Sequence, residues 1–470
     1  MFNEPDQRLA PTAHAAPTLG GWTPRPLRVG MIGLGTVGLG TAQVLRRNQA
    51  LIAARAGRPV VLTQVAVRNV ERARSLLGPE VHVTANALAV ATHPDVDVVV
   101  EVAGGTGPAR DWVLAAIAQG KHVVSANKAL LAEHGAEIFG AAQQQGVALA
   151  YEGAVAVSIP IIKALREGLV ANDVQWVAGI INGTTNFILS KMETEGLTFN
   201  AALAQAQALG YAEADPTLDV QGGDAAHKLT LLAANAFGMP PQFADVQVQG
   251  ITGVHALDTA GARQLGYRIK LLSMARRVPG GDAVELRVQP ALVPATHLLA
   301  QVNGSMNAVM VYGDACGPTL YYGAGAGSET TGSAVIADLV DVARLDGTHP
   351  AQRVPHLSFA PQSLRARPVV PHGEVQSAHF LRLPLRVPAP GTAAPTAREA
   401  LEVMSALLAG QGVAVERIEW LAGHTPAEPQ ALVLTGVLPQ AVVEQALQAA
   451  QAHPLVAGPC AQWRVETLEG

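Results

Sequence analysis

The sequence predicts an α/β protein. It should contain a doubly wound parallel sheet, a second α+β domain and a C-terminal ferredoxin-like βαββαβ domain. Three observations carry the prediction. Short apolar runs alternate with helical stretches over residues 27–150, a less regular mixture follows over 151–329, and a strand–helix–strand–strand–helix–strand pattern closes the chain over 374–470.

Taken in order, residues 1–26 hold Pro, Gly and Ala without a basic start or an apolar core, and read as a flexible lead-in, not a secretory signal. Residues 27–32 form a short apolar run ending in glycines, as a buried strand of a parallel sheet does. A helix is expected over 36–50, strands over 60–67, 96–102 and 123–125, and helices over 109–119 and 130–145. Right-handed crossovers turn such alternation into a doubly wound sheet. Beyond 150, segments 174–181, 198–209, 224–237 and 285–293 define the second domain. A helix at 333–343 would bring the segment 330–345 back onto the first. A Pro- and Arg-rich linker is expected over 346–373. In the tail, strands fall at 380–387, 413–420, 431–437 and 461–467, with helices at 397–409 and 441–450.

Composition narrows the function. Apolar residues make up 49% and charged residues 15% of 470, which excludes a disordered chain. The net charge of -5, with no basic stripe, argues against nucleic acid. The most apolar stretch, 147–169, is broken by Glu152, Lys163 and Arg166, so no membrane span is expected. Cys316 and Cys460 are far apart and form no metal or disulfide framework. A soluble cytoplasmic enzyme fits these features.

Gly33-Leu34-Gly35-Thr36-Val37-Gly38 is G-x-G-x-x-G, with a strand before it and a helix after it. The first glycine permits a tight turn, the second lets backbone approach a pyrophosphate, and the third lets helix and strand pack closely. The helix N-terminus offers free N–H groups to the anion. Residues 27–150 are therefore expected to be a Rossmann-type dinucleotide-binding domain. An NAD site usually ends its second strand in a carboxylate for the ribose 2′-hydroxyl. Here that strand runs into Arg68-Asn69, with Arg72 and Arg74 following. A guanidinium can hold a 2′-phosphate, so NADP (NADPH) is favoured, with NAD still possible.

Lysine occurs only at positions 121, 128, 163, 191, 228 and 270, while arginine carries most of the positive charge. Unlike arginine, lysine can lose its proton when buried. Lys128 lies just past a strand's carboxyl end, where ligands of open α/β sheets bind. Lys228 follows a carboxylate-rich segment, 210–224, and shares a helix face with Asp224 at i, i+4. The plain alternative is an exposed ion pair worth a few tenths of a kcal/mol. His227 points about 100° away from Lys228 on the same helix and reads as structural or solvent-facing.

Asn127-Lys128-Ala129-Leu130, Asn182-Gly183-Thr184-Thr185-Asn186, the segment 210–228 and Tyr322-Gly323-Ala324-Gly325-Ala326-Gly327 occur in this order behind the phosphate loop. Together they resemble the homoserine dehydrogenases over about residues 27–342. The resemblance implies NAD(P)-dependent interconversion of L-aspartate 4-semialdehyde and L-homoserine, a step toward threonine, methionine and isoleucine. Lys128 and Lys228 match the family's active-site lysines, and Asp224 its active-site acid. Glu213 and Asp219 match carboxylates that hold substrate; Asn182, Gly183 and Thr184 match a substrate-lining segment. Gly33, Gly35, Thr36, Val37, Gly38, Arg68, Thr106 and Lys128 fall at cofactor-contacting positions, as do Gly325 and Gly327 in the glycine turn near the nicotinamide. Of the two lysines, Lys228 is favoured as the proton donor because Asp224 could orient it.

The resemblance also implies a monovalent cation, Na or K, on main-chain carbonyls of Glu152, Val155 and Val157. The family pattern has two glycines near Val157 and Ser158, so the loop conformation is expected to differ here. The tail resembles an ACT regulatory domain, whose effector loop, such as one for threonine, would be residues 387–393; the apolar residues usual after its Pro-Gly pair are missing. A homo-oligomer, dimer or tetramer, is implied, and no aspartate kinase portion is expected ahead of the phosphate loop. Two other readings stay open. One is a regulatory homologue without turnover, which intact Lys128, Glu213, Asp219, Asp224 and Lys228 argue against. The other is an NADP oxidoreductase for another amino-aldehyde.

Overall fold

A computed structural model of the protein describes residues 25–345, 347–386, 397–421 and 429–468. The lead-in falls outside the described residues up to residue 24, as does the effector loop 387–393.

The first sheet contains β1 (Leu27–Ile32), β2 (Val60–Ala66), β3 (His82–Thr84), β4 (Val98–Glu101), β5 (His122–Ser125) and β6 (Leu149–Ala150). All pairings are parallel, in the order 3-2-1-4-5-6. Val98, Val99 and Val100 are fully buried, as strands covered by helices on both faces must be. Strand order reverses between β1 and β4, which opens a crevice at their carboxyl ends.

The helix Thr36–Arg47 leaves the phosphate loop, and the helix Ser328–Arg344 packs across it. The close approach is made through glycine. A Cβ on Gly40 would lie 2.2 Å from the Ser328 carbonyl oxygen, and one on Gly332 2.7 Å from the Thr41 nitrogen. Gly40→Ala is expected to destabilise the protein by ~1–3 kcal/mol through this overlap. The gain in helix propensity, about 1 kcal/mol, does not offset a backbone clash. A lowered thermal midpoint checks this.

The second sheet joins β7 (Val174–Ile180), β8 (Gln247–Val248), β9 (Tyr267–Arg277), β10 (Val284–Pro294), β11 (Met306–Gly313) and β12 (Gly317–Ala324). Side chains alternate along β9 and β10. Ile269, Leu271, Leu286, Val288 and Leu292 face the helices, whereas Leu272, Met274, Ala291 and Val293 pack with Trp176, Ala178 and Ile180 on the other face.

The tail supplies β13 (Gln376–Pro384), β14 (Val415–Trp420), β15 (Gln430–Thr435), β16 (Leu438–Pro439) and β17 (Ala461–Val465), with helices Ala397–Gly410 and Gln440–Gln451. Its main strands lie in the order β17-β13-β15-β14, all antiparallel, which is the ferredoxin-like arrangement. This layer is not separate from the rest. β17 also pairs in parallel with β10 at Ala291–Arg464 and Leu292–Val465, so the two sheets are continuous.

The Pro- and Arg-rich segment before the tail is no free tether. Arg353 donates to the Gly146 carbonyl at 2.8 Å, Tyr151 Oη to that of His356 at 2.7 Å, and Arg367 Nε to that of Phe237 at 2.9 Å. Among the described residues, no helix is long and apolar enough to cross a membrane.

Candidate active site

The phosphate loop begins with Gly33 at φ 105, a conformation that favours glycine. A Cβ there would lie 2.8 Å from the Ala103 nitrogen, because the loops after β1 and β4 close against each other. A Cβ on Gly38 would lie 2.3 Å from the Gly33 carbonyl oxygen, whereas one on Gly35 would meet nothing within 4 Å. The loop is thus packed on one side and open on the other, as a phosphate cradle requires. It borders a cavity of about 1110 Å³ whose walls include Gly33, Gly35, Arg68, Arg72, Gly104 and Gly105. Among the described residues, no carboxylate pairs with Arg68 or Arg72. These features fit a dinucleotide. Thr36 and Val37 open the first helix, and Thr106 caps the helix Gly107–Ala118 behind Gly104 and Gly105.

Lys128 begins the short helix Lys128–Glu133 after β5, where Asn127 caps it by accepting from the Leu130 N–H at 3.2 Å. Asp224 and Lys228 lie one turn apart at the start of the helix Gly223–Phe237, which is buried on every side. Asn182 caps the helix Gly183–Glu195 after β7. These elements converge on one carboxylate. Lys128 Nζ lies 3.1 Å from Asp224 Oδ1, and Lys228 Nζ 2.7 Å from Oδ2. Asn182 Nδ2 donates to Asp224 Oδ2 at 2.8 Å and to Asp219 Oδ1 at 2.7 Å. The Thr184 hydroxyl, whose one proton is shared, lies 2.7 Å from the Tyr211 carbonyl oxygen and 3.1 Å from Asp219 Oδ2. The Asp224–Lys228 pair is therefore not the exposed one that the plain alternative supposed: each side chain is 9% exposed.

Electrostatics follow from this burial. Desolvation pushes the Asp224 carboxyl up, but Lys228, Lys128 and the Asn182 amide outweigh it and hold it well below the usual carboxylate range. Burial pulls the Lys228 ammonium down, assisted by the Lys128 charge and opposed by Asp224. Burial raises the Asp219 carboxyl, and neighbouring Asp224 raises it further. Two of the three Lys228 N–H groups are engaged, one by Asp224 and one by the Ile181 carbonyl at 2.7 Å, leaving one for another acceptor. The Asn182 amide is saturated: Oδ1 accepts from the Thr185 N–H and hydroxyl, each at 2.8 Å. Its side chain positions the two carboxylates. Glu213 is exposed, and its carboxylate has no partner among the described residues.

His227 is not solvent-facing. It is buried, with its ring centroid 4.5 Å from that of Phe243 and its Nε2 3.3 Å from Glu133. Both cysteines are free, Cys316 exposed and Cys460 half-buried.

Two polar residues had escaped the sequence reading. Glu101, fully buried at the end of β4, accepts from the N–H groups of Ala103 and Gly104 and from Ser125 Oγ at 2.9 Å. Ser125 Oγ in turn accepts from the Asn127 N–H at 3.1 Å, so Glu101 ties the loop after β4 to the Lys128 turn. A carboxylate ending an all-valine strand was the available signal. Asn307 lies buried beneath the glycine turn, where a Cβ on Gly325 would come within 2.1 Å of its Nδ2. Neither polar atom of its amide has a hydrogen-bond partner. Gly327, at φ 141, starts the helix that packs on the phosphate-loop helix. Gly183 closely approaches the Ser305 carbonyl, at 2.7 Å from a built Cβ.

The 152–158 loop has its left-handed kink at Ala156, φ 51. The Glu152 carboxylate is turned inward onto the N–H groups of Ile162 and Lys163, at 3.0 and 2.9 Å. Among the described residues, no group of three or more His, Cys, Asp or Glu could hold a metal. Burial raises the Glu152 carboxyl to about 7, and burial with the Glu152 charge raises Asp338 well above its usual value. A raised carboxyl stabilises the fold fully below its unfolded value, about 4.3, and that contribution is lost as pH rises through the folded value. Glu152→Gln is expected to remove a loss on the order of 3 kcal/mol between these limits. Urea midpoints at about pH 5 and 8 check the flattened slope.

A dinucleotide fold whose crevice ends on a lysine–aspartate–lysine cluster defines the class of nicotinamide-dependent dehydrogenases. Comparison with known proteins makes this specific. Residues 33–152 match the family model "Homoserine dehydrogenase, NAD binding domain", and residues 160–340 match "Homoserine dehydrogenase". The chain is 50% identical to the homoserine dehydrogenase of Pseudomonas aeruginosa over 450 residues, 94% of this chain and 100% of that one. It is 46% identical to that of Neisseria gonorrhoeae over 446 residues, 94% and 99% of the two chains. The crystal structure of a homoserine dehydrogenase from Thiobacillus denitrificans superposes with a TM-score of 0.87 at 49% identity, covering 95% of this chain and 99% of that one. The chain belongs to the homoserine dehydrogenase family.

Proposed function

We propose that the chain interconverts L-aspartate 4-semialdehyde and L-homoserine with NADP(H), using the Lys128–Asp224–Lys228 cluster. The observation that carries this reading is a buried aspartate shared by two ammonium groups, one of which keeps a free N–H. A nicotinamide coenzyme bound in this crevice would supply the hydride chemistry, and the side chains do the rest. The phosphate loop and the N-terminus of Thr36–Arg47 would hold the pyrophosphate, and Gly325 and Gly327 would border the nicotinamide. As hydride arrives, charge grows on the carbonyl oxygen. The free N–H of Lys228 stabilises that charge and delivers the proton, and in reverse the neutral amine removes it. Lys128, 31% exposed, adds a second cation from the crevice side. Glu213 and Asp219 receive the substrate ammonium, Asn182 and Thr184 fix Asp219, and Gly183 keeps the helix start close. Reduction of NADP by L-homoserine, matched by oxidation of NADPH by the semialdehyde, tests the reading; a folded, coenzyme-binding chain inert in both directions would refute it.

NADPH is preferred over NADH because Arg68, supported by Arg72, offers a guanidinium for the 2′-phosphate where an NAD site has a carboxylate. Loss of charge-assisted bonds costs ~1.5–3 kcal/mol. Arg68→Ser should therefore raise the KM for NADPH by about 10-fold or more and leave that for NADH unchanged. Equal rates of the parent with both coenzymes would contradict the preference.

A Na or K ion would take main-chain carbonyls of Glu152, Val155 and Val157, since carbonyl donors suit hard cations. A homo-oligomeric enzyme and an effector such as threonine belong to the same reading. Light scattering and the threonine dependence of the rate test them.

A further inference from the structure

Glu101 ends β4 beside Ser125 of β5, its partner in the parallel register. Both side chains are fully buried. Three donors converge on the carboxylate. Oε1 accepts from the N–H groups of Ala103 and Gly104 at 2.9 and 3.2 Å, and Oε2 accepts from the Ser125 hydroxyl at 2.9 Å. Ser125 Oγ accepts from the Asn127 N–H at 3.1 Å, and Asn127 Nδ2 donates to the Gly105 carbonyl at 2.7 Å. A closed ring of hydrogen bonds thus joins residues 103–105 to Asn127, the residue before Lys128. The two segments reach different parts of the site. Ala103, Gly104 and Gly105 wall the cavity that fits a dinucleotide, whereas Lys128 Nζ lies 3.1 Å from Asp224 Oδ1. Gly104 and Gly105 both stand at φ 78, so their turn has little stiffness of its own and the ring anchors it at an N–H and a carbonyl. Burial raises the Glu101 carboxyl above its usual range, and the donors around it, Ser125 first, act against that rise.

We propose that Glu101 is a positioning residue for the reaction: through Ser125 and Asn127 it sets Lys128 against Asp224, and through Ala103 and Gly104 it holds the loop that walls the coenzyme cavity. The inference rests on the roles proposed above for that cavity and for Lys128. Only a carboxylate serves here, because the site offers donors to both oxygens. An amide in its place would turn an NH2 group toward Ser125 Oγ, which already accepts from Asn127, and the hydroxyl proton would lose its acceptor. Ser125 carries the tie on one side only. Its removal frees the Lys128 turn but leaves the Ala103 and Gly104 bonds intact. The two variants therefore separate the two functions of the carboxylate.

Glu101→Gln and Ser125→Ala, each in the full chain, test this with three readouts: NADPH affinity by fluorescence titration, kcat for semialdehyde reduction, and the NMR signal of Lys128. Reductive methylation with isotope-labelled formaldehyde labels the accessible lysines, and Lys128→Arg identifies the Lys128 signal. Ser125→Ala should shift that signal and lower kcat by about 10-fold or more, since small misplacement of a reacting group is costly. Its NADPH affinity should stay within about 2-fold of the parent, because no loop bond is lost. Glu101→Gln should shift the signal, lower kcat similarly and also weaken NADPH by about 10-fold, the loss expected of a charge-assisted hydrogen bond. If Glu101→Gln does not fold, Ser125→Ala decides. An unmoved Lys128 signal with parental kcat in Ser125→Ala overturns the tie to Lys128, and parental NADPH affinity in Glu101→Gln overturns the hold on the loop. A lowered melting temperature with all three readouts parental would mark Glu101 as structural only and overturn the proposal. The signal and the affinity are read without turnover, so a coenzyme-binding parent that is inert with the semialdehyde refutes the proposed reaction while these two readouts still decide the role of Glu101.

Discussion

Lys228→Ala should lower kcat for semialdehyde reduction by on the order of 10² or more while NADPH still binds. General acid–base catalysis by a positioned group contributes about 10²–10⁴-fold. Lys228 is the group whose third N–H is free beside Asp224. Lys128 should retain part of the electrostatic stabilisation, so a residual rate is expected above that of a double variant. The readout is NADPH oxidation together with coenzyme affinity, which separates lost chemistry from lost binding. A variant with parental kcat would transfer the proton role to Lys128.

Asp224→Asn is expected to act on stability as well as rate. The side chain keeps its volume but loses the anion that two ammonium groups share. Breaking a buried pair by removing one partner costs about 3–5 kcal/mol. The burial that already lowers Lys228 would then act without its main opposing charge. A lysine depressed in this way penalises the fold while protonated, so the variant's deficit should shrink as pH is raised above neutrality. At the acid end the sign reverses. The Asp224 carboxyl, held below its ordinary value, stabilises the parent above the unfolded value of about 3.9, and that contribution is lost as pH falls through the folded value. The variant should therefore show a shallower acid loss. Urea midpoints across the pH range check both slopes.

Much of this was legible in the sequence because the requirements are local. G-x-G-x-x-G between a strand and a helix is dictated by close backbone approach, and the structure shows the matching contacts at Gly33 and Gly38. The six main elements of the tail could be read in order, since each is bounded by polar or Pro- and Gly-containing turns. Strands β9, β11 and β12 went unread. The middle of β9 is buried on both faces, so polar alternation is absent there, and buried Lys270 and Ser273 interrupt its apolar run. The join of β17 to β10 rests on two residue pairs far apart in sequence and leaves no local trace. At the site, Asp224 and Lys228 could be paired by helical spacing. The sharing of Asp224 with Lys128, and the bridge from Asn182 to Asp219, depend on long-range packing that no spacing reveals.

Substrate discrimination by the purified chain tests the central claim most directly. NADPH oxidation should be measured with L-aspartate 4-semialdehyde and with the same four-carbon aldehyde acid lacking the α-amine. A site that holds the ammonium on Glu213 and Asp219 should reject the analogue by on the order of 10² or more in kcat/KM, because its carboxylates are left unpaired. Comparable rates with both aldehydes, or turnover with neither, would contradict the account.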